Sequence, residues 1–473
     1  MISKKKFMII FVLIVVISFF LRIYQLGAKP IHHDEAILEY YYVKPLLDNY
    51  ALNYMGSEYH GLGYHYITYV FARIFGLSIF SIRLAAAVFG SLSVLLLYYF
   101  QDYLGRIGVL FSAAFLAVST SHVYYSRQYT SYPFLIFFLL LSIIVASKYF
   151  REYKTTYIYW MFIILAILFN INETIFIFLF VAAAFAYLRY LFDKKSLSYL
   201  KKIKWRHFFL GLIVCVAVFI WIHTNFFIQL SNIEGLLKLG SDITTKTVST
   251  GHNKSFPYYF TLIIPFEAGL LLISLIGLLF FKRKIFSYFL IFWSISFLFI
   301  FSMISYKTNW ILPLVITPLI LLAGDTMDHL TQITKWKYLV IIAGILLVLA
   351  NLFFSIQQNF IYFNDLEKNK IGYVETSVEV EQLVSDIHQY VLGRNISILI
   401  TAKGYWPLPV YLKDYYLDYD TEIEKLDLAN HTNRDIFISE ESQVPDSIES
   451  FTKKKYELRQ NYYMFVLYRK IGE

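Results

Sequence analysis

Long apolar runs separated by short charged loops dominate the chain up to about residue 356. Lys4-Lys5-Lys6 precede an apolar stretch from about Phe7 to Leu26. A stretch of about twenty residues, rising 1.5 Å per residue, crosses a hydrocarbon core of about 30 Å. A secretory signal would have a shorter apolar core and a small-residue cleavage site, so this segment reads as a retained anchor. Further runs fall near 82–100, 107–121, 131–147, 157–171, 174–191, 208–226, 258–281, 285–304, 309–324 and 337–356. The pattern predicts a polytopic α-helical membrane protein with about eleven transmembrane helices.

The loops fix an expected orientation. Lys148, Arg151 and Lys154 fill one loop, Lys194-Lys195 through Arg206 another, and Lys282-Arg283-Lys284 a third. With the N-terminus inside, all of these clusters fall on the cytoplasmic side, where lysine and arginine accumulate. Residues 27–81, 227–257 and everything beyond about 357 then lie outside. In the first of these, Asp34 to Leu47 and Tyr64 to Phe75 suit helices lying along the interface. The organisation expected is a transmembrane module over 1–356, including the outer loop 27–81, and a soluble extracytoplasmic domain over 357–473. In that tail, Ile396–Ile400, Asp435–Ser439 and Tyr462–Tyr468 read as strands and Ser377–Val391 as a helix, a small α/β domain.

Composition agrees. Of 473 residues, 58% are hydrophobic and only 16% are charged, against about 25% charge in an ordinary globular domain. The net charge of +9 resides in the inner loops rather than on one basic face, which excludes a nucleic-acid partner. The single cysteine, Cys215, lies within an apolar run, so no internal disulfide forms.

Four polar groups at outer boundaries are candidates for chemistry, since polar residues there are costly and often functional. His32-His33-Asp34-Glu35 follows the first span; its carboxylates suit a general base, or a divalent cation held with the histidines. Asp34 is equally suited to capping the helix that follows. Ser126-Arg127-Gln128-Tyr129 and Tyr306-Lys307-Thr308-Asn309-Trp310 each set one cation among aromatics. Such a group anchors a helix at the interface, or meets an anionic lipid headgroup. The fourth comprises Gly251-His252, Tyr258-Tyr259 and Glu267, a carboxylate about two turns inside a span that calls for a polar cavity or a cation. Asn172-Glu173-Thr174 fits a plain interhelical loop, and His60 and His65 lack the tight spacing of a metal site.

These segments carry a resemblance. Leu21-Arg22-Ile23-Tyr24, His32-His33-Asp34-Glu35-Ala36, Tyr59-His60-Gly61, Arg83-Leu84, Asn172-Glu173-Thr174, Gly251-His252, Glu267, Tyr306–Trp310, Tyr405-Trp406-Pro407-Leu408-Pro409 and Leu458-Arg459 occur in one order over most of the chain. In this set the chain resembles the archaeal and bacterial "flippase activity-associated" membrane proteins. That family belongs to the GT-C glycosyltransferases, together with the protein O-mannosyltransferases and the aminoarabinose transferases. The resemblance implies a GT-C fold and an inverting transfer from a polyprenyl-phosphate sugar to an acceptor hydroxyl at the external membrane face. It implies Asp34 as base with Glu35 beside it. By their chemistry, outer-face cations among aromatics suit the donor phosphate, which sets Arg127 and Lys307, with His252, Glu267, Tyr306 and Trp310, around the donor, and His33, His60, Tyr405 and Trp406 toward acceptor or cavity. No cofactor is required, and a divalent cation is the alternative. Leu62, Asn172 and Asn309 stand where the family usually has proline, lysine and proline. Sugar and acceptor (glycan, lipid or protein) stay open.

Two other functions compete. A transporter or flippase of lipid-linked saccharides would show repeated halves and broken helices around a midplane site, whereas the polar groups here gather at one face. A non-catalytic receptor would leave the His-Asp-Glu group and Glu267 unexplained.

Overall fold

The computed structural model describes residues 2–53, 61–194, 202–235, 253–279, 284–391, 393–394, 396–428, 433–445 and 448–470. It divides into two compact units. One comprises Met1–Leu26 with Leu46–Ile361, the other Gly27–Pro45 with Tyr362–Glu473.

The first unit is helical. Its elements are α1 (Lys4–Ile23), α3 (Gly63–Phe75), α4 (Ile79–Leu96), α5 (Gln101–Val118), α6 (Thr120–Ser126), α7 (Tyr132–Glu152), α8 (Thr155–Phe169), α9 (Ile175–Phe192), α10 (Trp205–His223), α11 (Tyr258–Phe266), α12 (Ala268–Leu278), α13 (Ile285–Met303), α14 (Leu312–Ile333) and α15 (Lys337–Ile356); α2 belongs to the other unit. Each apolar run of the sequence falls on one or two of these helices. By length and composition, eight helical segments among the described residues can cross a membrane, or nine if a bent pair counts as one span. The figure of eleven is therefore not reached on that criterion. The run 82–100 and most of 107–121 lie in one 40-residue segment, Ile79–Val118, broken where Gly105 takes φ 70°, a left-handed conformation that glycine reaches without steric cost. Thr155–Phe169 is apolar but short. The chain is a multi-pass membrane protein.

Small residues let α5 and α14 touch backbone to backbone. A Cβ on Gly324 would stand 2.0 Å from Ser112 Oγ and 2.4 Å from the Gly108 carbonyl. Close approach of this kind replaces the missing hydrophobic force between helices in lipid. The carbonyls at the end of α1 are met by arginines. Arg127 donates to Leu21 O at 3.1 Å, to Tyr24 O at 2.6 Å and to Gln25 O at 3.3 Å, while Arg83 donates to Leu26 O at 3.1 Å. Arg22 does the same for α5, donating to Leu116 O and Ala117 O at 2.9 and 3.0 Å. Helix C-termini leave carbonyls without partners, and guanidinium groups satisfy them.

The second unit begins with α2 (His33–Leu38), which continues as a π-helical turn over Glu39–Val43. Further along, α16 (Glu379–Val391) precedes five strands, β1 (Ser397–Ile400), β2 (Tyr416–Tyr419), β3 (Ile436–Ser439), β4 (Phe451–Arg459) and β5 (Tyr462–Arg469). They form one sheet in the order β2-β1-β3-β5-β4, with β1 parallel to β2 and β3 and the remaining pairs antiparallel. Side chains alternate. Ile398, Ile400, Ile436, Ile438 and Val466 face a core with Leu383 and Ile387 of α16, whereas Leu399, Phe437, Phe465 and Leu467 build the opposite face. The expected helix and three strands are present. The sequence reading omitted β2 and β4. In β4 the run Lys453-Lys454-Lys455 is exposed on an edge strand, where lysines guard against pairing with another chain and hide the period-two signal.

Candidate active site

The start of α2 is closed by a reciprocal cap, and Asp34 is not the capping residue. The His32 ring occupies the cap position: its Nδ1 accepts from the Asp34 amide at 3.1 Å. Glu35 completes the box, its carboxylate accepting from the His32 amide at 3.0 Å. His32 Nε2 lies 2.9 Å from the Tyr373 carbonyl, so that nitrogen carries the proton and Nδ1 is the acceptor. The cap is thus held by the His32 ring and by Glu35, which is only 2% exposed.

The Asp34 carboxylate points elsewhere. Its side chain is 35% exposed and its Oδ1 lies 3.1 Å from His33 Nε2. Burial first, then the adjacent His32, pushes the His33 pKa down against the pull of Asp34. His33 is therefore a neutral ring donating Nε2–H to Asp34, and its buried Nδ1 has no hydrogen-bond partner among the described residues. Arg459 is a second group of the same unit whose charge is felt by Asp34 and His33. It donates to Gly404 O at 2.8 Å and stacks over the Tyr462 ring at 4.9 Å, with a buried Nε that meets no acceptor among the described residues. A Cβ on Gly404 would come within 2.5 Å of the Arg459 guanidinium.

His32, His33 and Asp34 each offer a ligand atom within 4.8 Å of the others, the only such group of histidine, cysteine and carboxylate residues among the described residues. They fit a metal poorly, because both nitrogens of His32 already serve the cap and the Tyr373 carbonyl.

The sequence reading missed Glu39. It is 5% exposed, and one carboxylate oxygen is buried without a hydrogen-bond partner among the described residues. Burial pushes its pKa up to about 7, against the opposing effect of Lys413 and Lys44. The folded chain therefore holds a proton that the unfolded chain has released. The contribution of Glu39 to stability is greatest at acid pH, falls as pH rises from the ordinary carboxylate range to about 7, and is level above that. The full loss is on the order of 3 kcal/mol. In thermal unfolding at about pH 5 and about pH 8, Glu39→Gln is expected to abolish most of this fall. An unchanged pH dependence would remove Glu39 as its source.

An aromatic group adjoins the π-turn. Tyr40 and Tyr41 meet Trp406 at 5.6 and 6.0 Å between ring centroids, Tyr405 meets Trp406 at 5.6 Å, and Tyr405 meets Tyr419 at 5.1 Å. Tyr40, Tyr41 and Tyr419 retain about two-fifths of their surface exposed.

The expected donor residues lie in the other unit. Arg127 is engaged with the carbonyls of α1, as above, and its guanidinium stacks 4.6 Å from the Phe360 ring. Lys307 is buried and donates to Lys254 O at 3.0 Å and to Ile304 O. Tyr306 pairs with Asn253 in an isolated bridge, and Trp310 lies half-buried in the short turn preceding α14. Tyr258 and Tyr259 bond to Asn309 and to the Thr308 carbonyl. Glu267 is wholly buried at the 106° bend between α11 and α12. It accepts from Ser119 Oγ at 2.7 Å, from the Ser121 amide at 3.2 Å and from Asn351 Nδ2 at 2.6 Å. It therefore meets neutral donors of α6 and α15 rather than the cavity or cation that the sequence led one to expect. Asn172 forms a local turn with Thr174 and bonds Ser131 at 2.8 Å, and His65 is buried against Tyr129. His60 and His252 lie outside the described residues.

Comparison with known proteins agrees with this architecture. The family model described as dolichyl-phosphate-mannose-protein mannosyltransferase matches residues 59–221. Two solved structures of ArnT from Cupriavidus metallidurans are similar along nearly the whole chain. The form bound to undecaprenyl phosphate aligns with TM-score 0.67 at 13% identity, over 99% of both chains. The apo form aligns with TM-score 0.68 at 13% identity, over 98% of both. No curated protein matches the sequence. The fold is the GT-C fold.

Proposed function

We propose that this chain, a membrane glycosyltransferase of the GT-C type, moves a sugar from a polyprenyl-phosphate carrier to an acceptor hydroxyl with inversion at the anomeric carbon. The observation that carries the reading is the division of labour at α2. Capping falls to His32 and Glu35, while the Asp34 carboxylate is part-exposed against a neutral histidine. A general base has those properties. Asp34 takes the proton of the acceptor hydroxyl as that oxygen bonds to the anomeric carbon. The bond from that carbon to the phosphate oxygen breaks, and the carrier leaves as polyprenyl phosphate. His33 orients Asp34, and the Arg459 charge favours its ionised form. The reading needs no cofactor.

The acceptor is placed at the aromatic group around Tyr405 and Trp406. Exposed rings with polar edges suit the apolar face and hydroxyl margin of a sugar-bearing acceptor. In orientation the reaction face is external, with the N-terminus cytoplasmic, because that register gathers the lysine clusters of the loops inside. The ArnT form bound to undecaprenyl phosphate supports a lipid-linked donor by analogy of fold.

Within the helical unit, Lys307 is the cation proposed to hold the phosphate of a bound polyprenyl phosphate. Among the described residues two carbonyls take N–H donors of its ammonium, which has three, and the third is assigned to the ligand. Lys307→Ala should weaken binding of undecaprenyl phosphate about ten- to hundredfold, the loss of one charge-assisted contact. Native mass spectrometry of the detergent-solubilised chain measures this. Parental binding with a lowered unfolding midpoint would instead leave Lys307 as a clamp between two backbone segments. Arg127→Ala is expected to act chiefly on stability.

A further inference from the structure

A groove of about 560 Å³ runs between α1, α5 and α15 in the helical unit, and the transfer chemistry does not use it. Its wall is apolar, with Ile14 of α1, Leu110 of α5 and Val348 of α15 among the lining side chains. Its mouth is cationic. Lys6 lies in the first turn of α1 and Lys337 is the first residue of α15; both line the groove and both are exposed. Two helices thus begin at the same end, adding the positive ends of their dipoles to two ammonium groups. Arg106 braces the mouth by donating to the Ile2 carbonyl at 3.0 Å.

The lining decides the occupant. No acidic residue lines the groove, so a cation is disfavoured. Apart from Ser3 and Tyr338, near the two lysines in sequence, the remaining lining side chains are apolar, so a peptide or a polar metabolite would find no hydrogen-bond partners farther along the wall. A neutral lipid would fill the wall and leave two ammonium groups without a counter-charge. From Lys6 to Ile14 and from Lys337 to Val348, the helices rise about 12 and about 16 Å, a depth that suits part of one acyl chain. We infer that the groove between α1, α5 and α15 binds an anionic phospholipid, its phosphate at Lys6 and Lys337 and one acyl chain along the wall. Basic pockets between transmembrane helices recognise anionic headgroups by the same electrostatics. This inference is independent of the proposed transfer reaction.

The test is native mass spectrometry of the full chain in detergent, titrated with phosphatidylglycerol or phosphatidylcholine carrying the same acyl chains. The parent should retain phosphatidylglycerol about tenfold more tightly or better. Lys6→Gln with Lys337→Gln should erase that preference, and exposed positions of this kind carry little folding risk. Lys4→Gln with Lys5→Gln, which remove neighbouring charges outside the groove, should leave it intact. Ala114→Phe, in the wall, should weaken both lipids. Equal retention of the two lipids by the parent would overturn the proposal. So would a preference that survives loss of Lys6 and Lys337, or one that falls equally with Lys4 and Lys5.

Discussion

Asp34→Asn is expected to fold, to bind a polyprenyl-phosphate donor as the parent does, and to lose roughly a hundredfold or more in turnover. The reasoning is geometric. The amide is nearly isosteric with the carboxylate and can accept the His33 Nε2–H, so the 3.1 Å contact survives. The cap of α2 is untouched, because it is made by the His32 ring and the Glu35 carboxylate. What disappears is the basic oxygen. Glu35→Gln makes the opposite trade. It weakens the box that fixes the helix start, and should cost about 1 kcal/mol of stability, as the loss of a capping contact does, with a smaller effect on turnover. Kinetics and thermal unfolding of both variants separate the two roles. If Glu35→Gln lost turnover and Asp34→Asn kept it, the base would be Glu35, and if both kept it, base catalysis would not reside in this pair.

The second large effect is on stability. Glu267→Ala should destabilise the helical unit by about 3 kcal/mol or more, since it strands buried donors of Ser119, Ser121 and Asn351 without an acceptor. That side chain ties the bend between α11 and α12 to α6 and α15, so its loss loosens three elements together. Glu267→Gln keeps the volume and one carbonyl acceptor and should cost about half as much. The apparent unfolding midpoint in detergent reads both. Undecaprenyl phosphate binding per folded molecule should be unchanged. A parental midpoint with lost binding would return Glu267 to the donor site that the sequence suggested.

Much of this architecture was written in local pattern. Membrane helices announce themselves because about twenty apolar residues have few other uses, and β1, β3 and β5 are apolar runs of strand length bounded by turns. What the sequence concealed depends on contacts distant along the chain. Asp is a commoner helix cap than His, so Asp34 looked like one; the His32 ring serves because Tyr373, 341 positions away, fixes its tautomer. Glu39 begins a run of tyrosines that reads as amphipathic, and its burial is visible only in the folded unit. Arg127 lies between aromatics, as an interfacial headgroup ligand would, yet its partners are carbonyls about a hundred residues earlier. Arg459 carries no local mark of its electrostatic link to Asp34 and His33.

Release of the carrier tests the central claim most directly. The purified chain, reconstituted in liposomes, would be supplied with lipid-linked sugars extracted from the membranes in which it is made, and polyprenyl phosphate followed by mass spectrometry. The account predicts that polyprenyl phosphate accumulates with the parent and not with Asp34→Asn, and that the transferred sugar has inverted anomeric configuration. Lipid-linked sugar recovered intact, whether or not it has crossed the bilayer, with no carrier released by a folded parent that binds it, would contradict the account and point to a transporter.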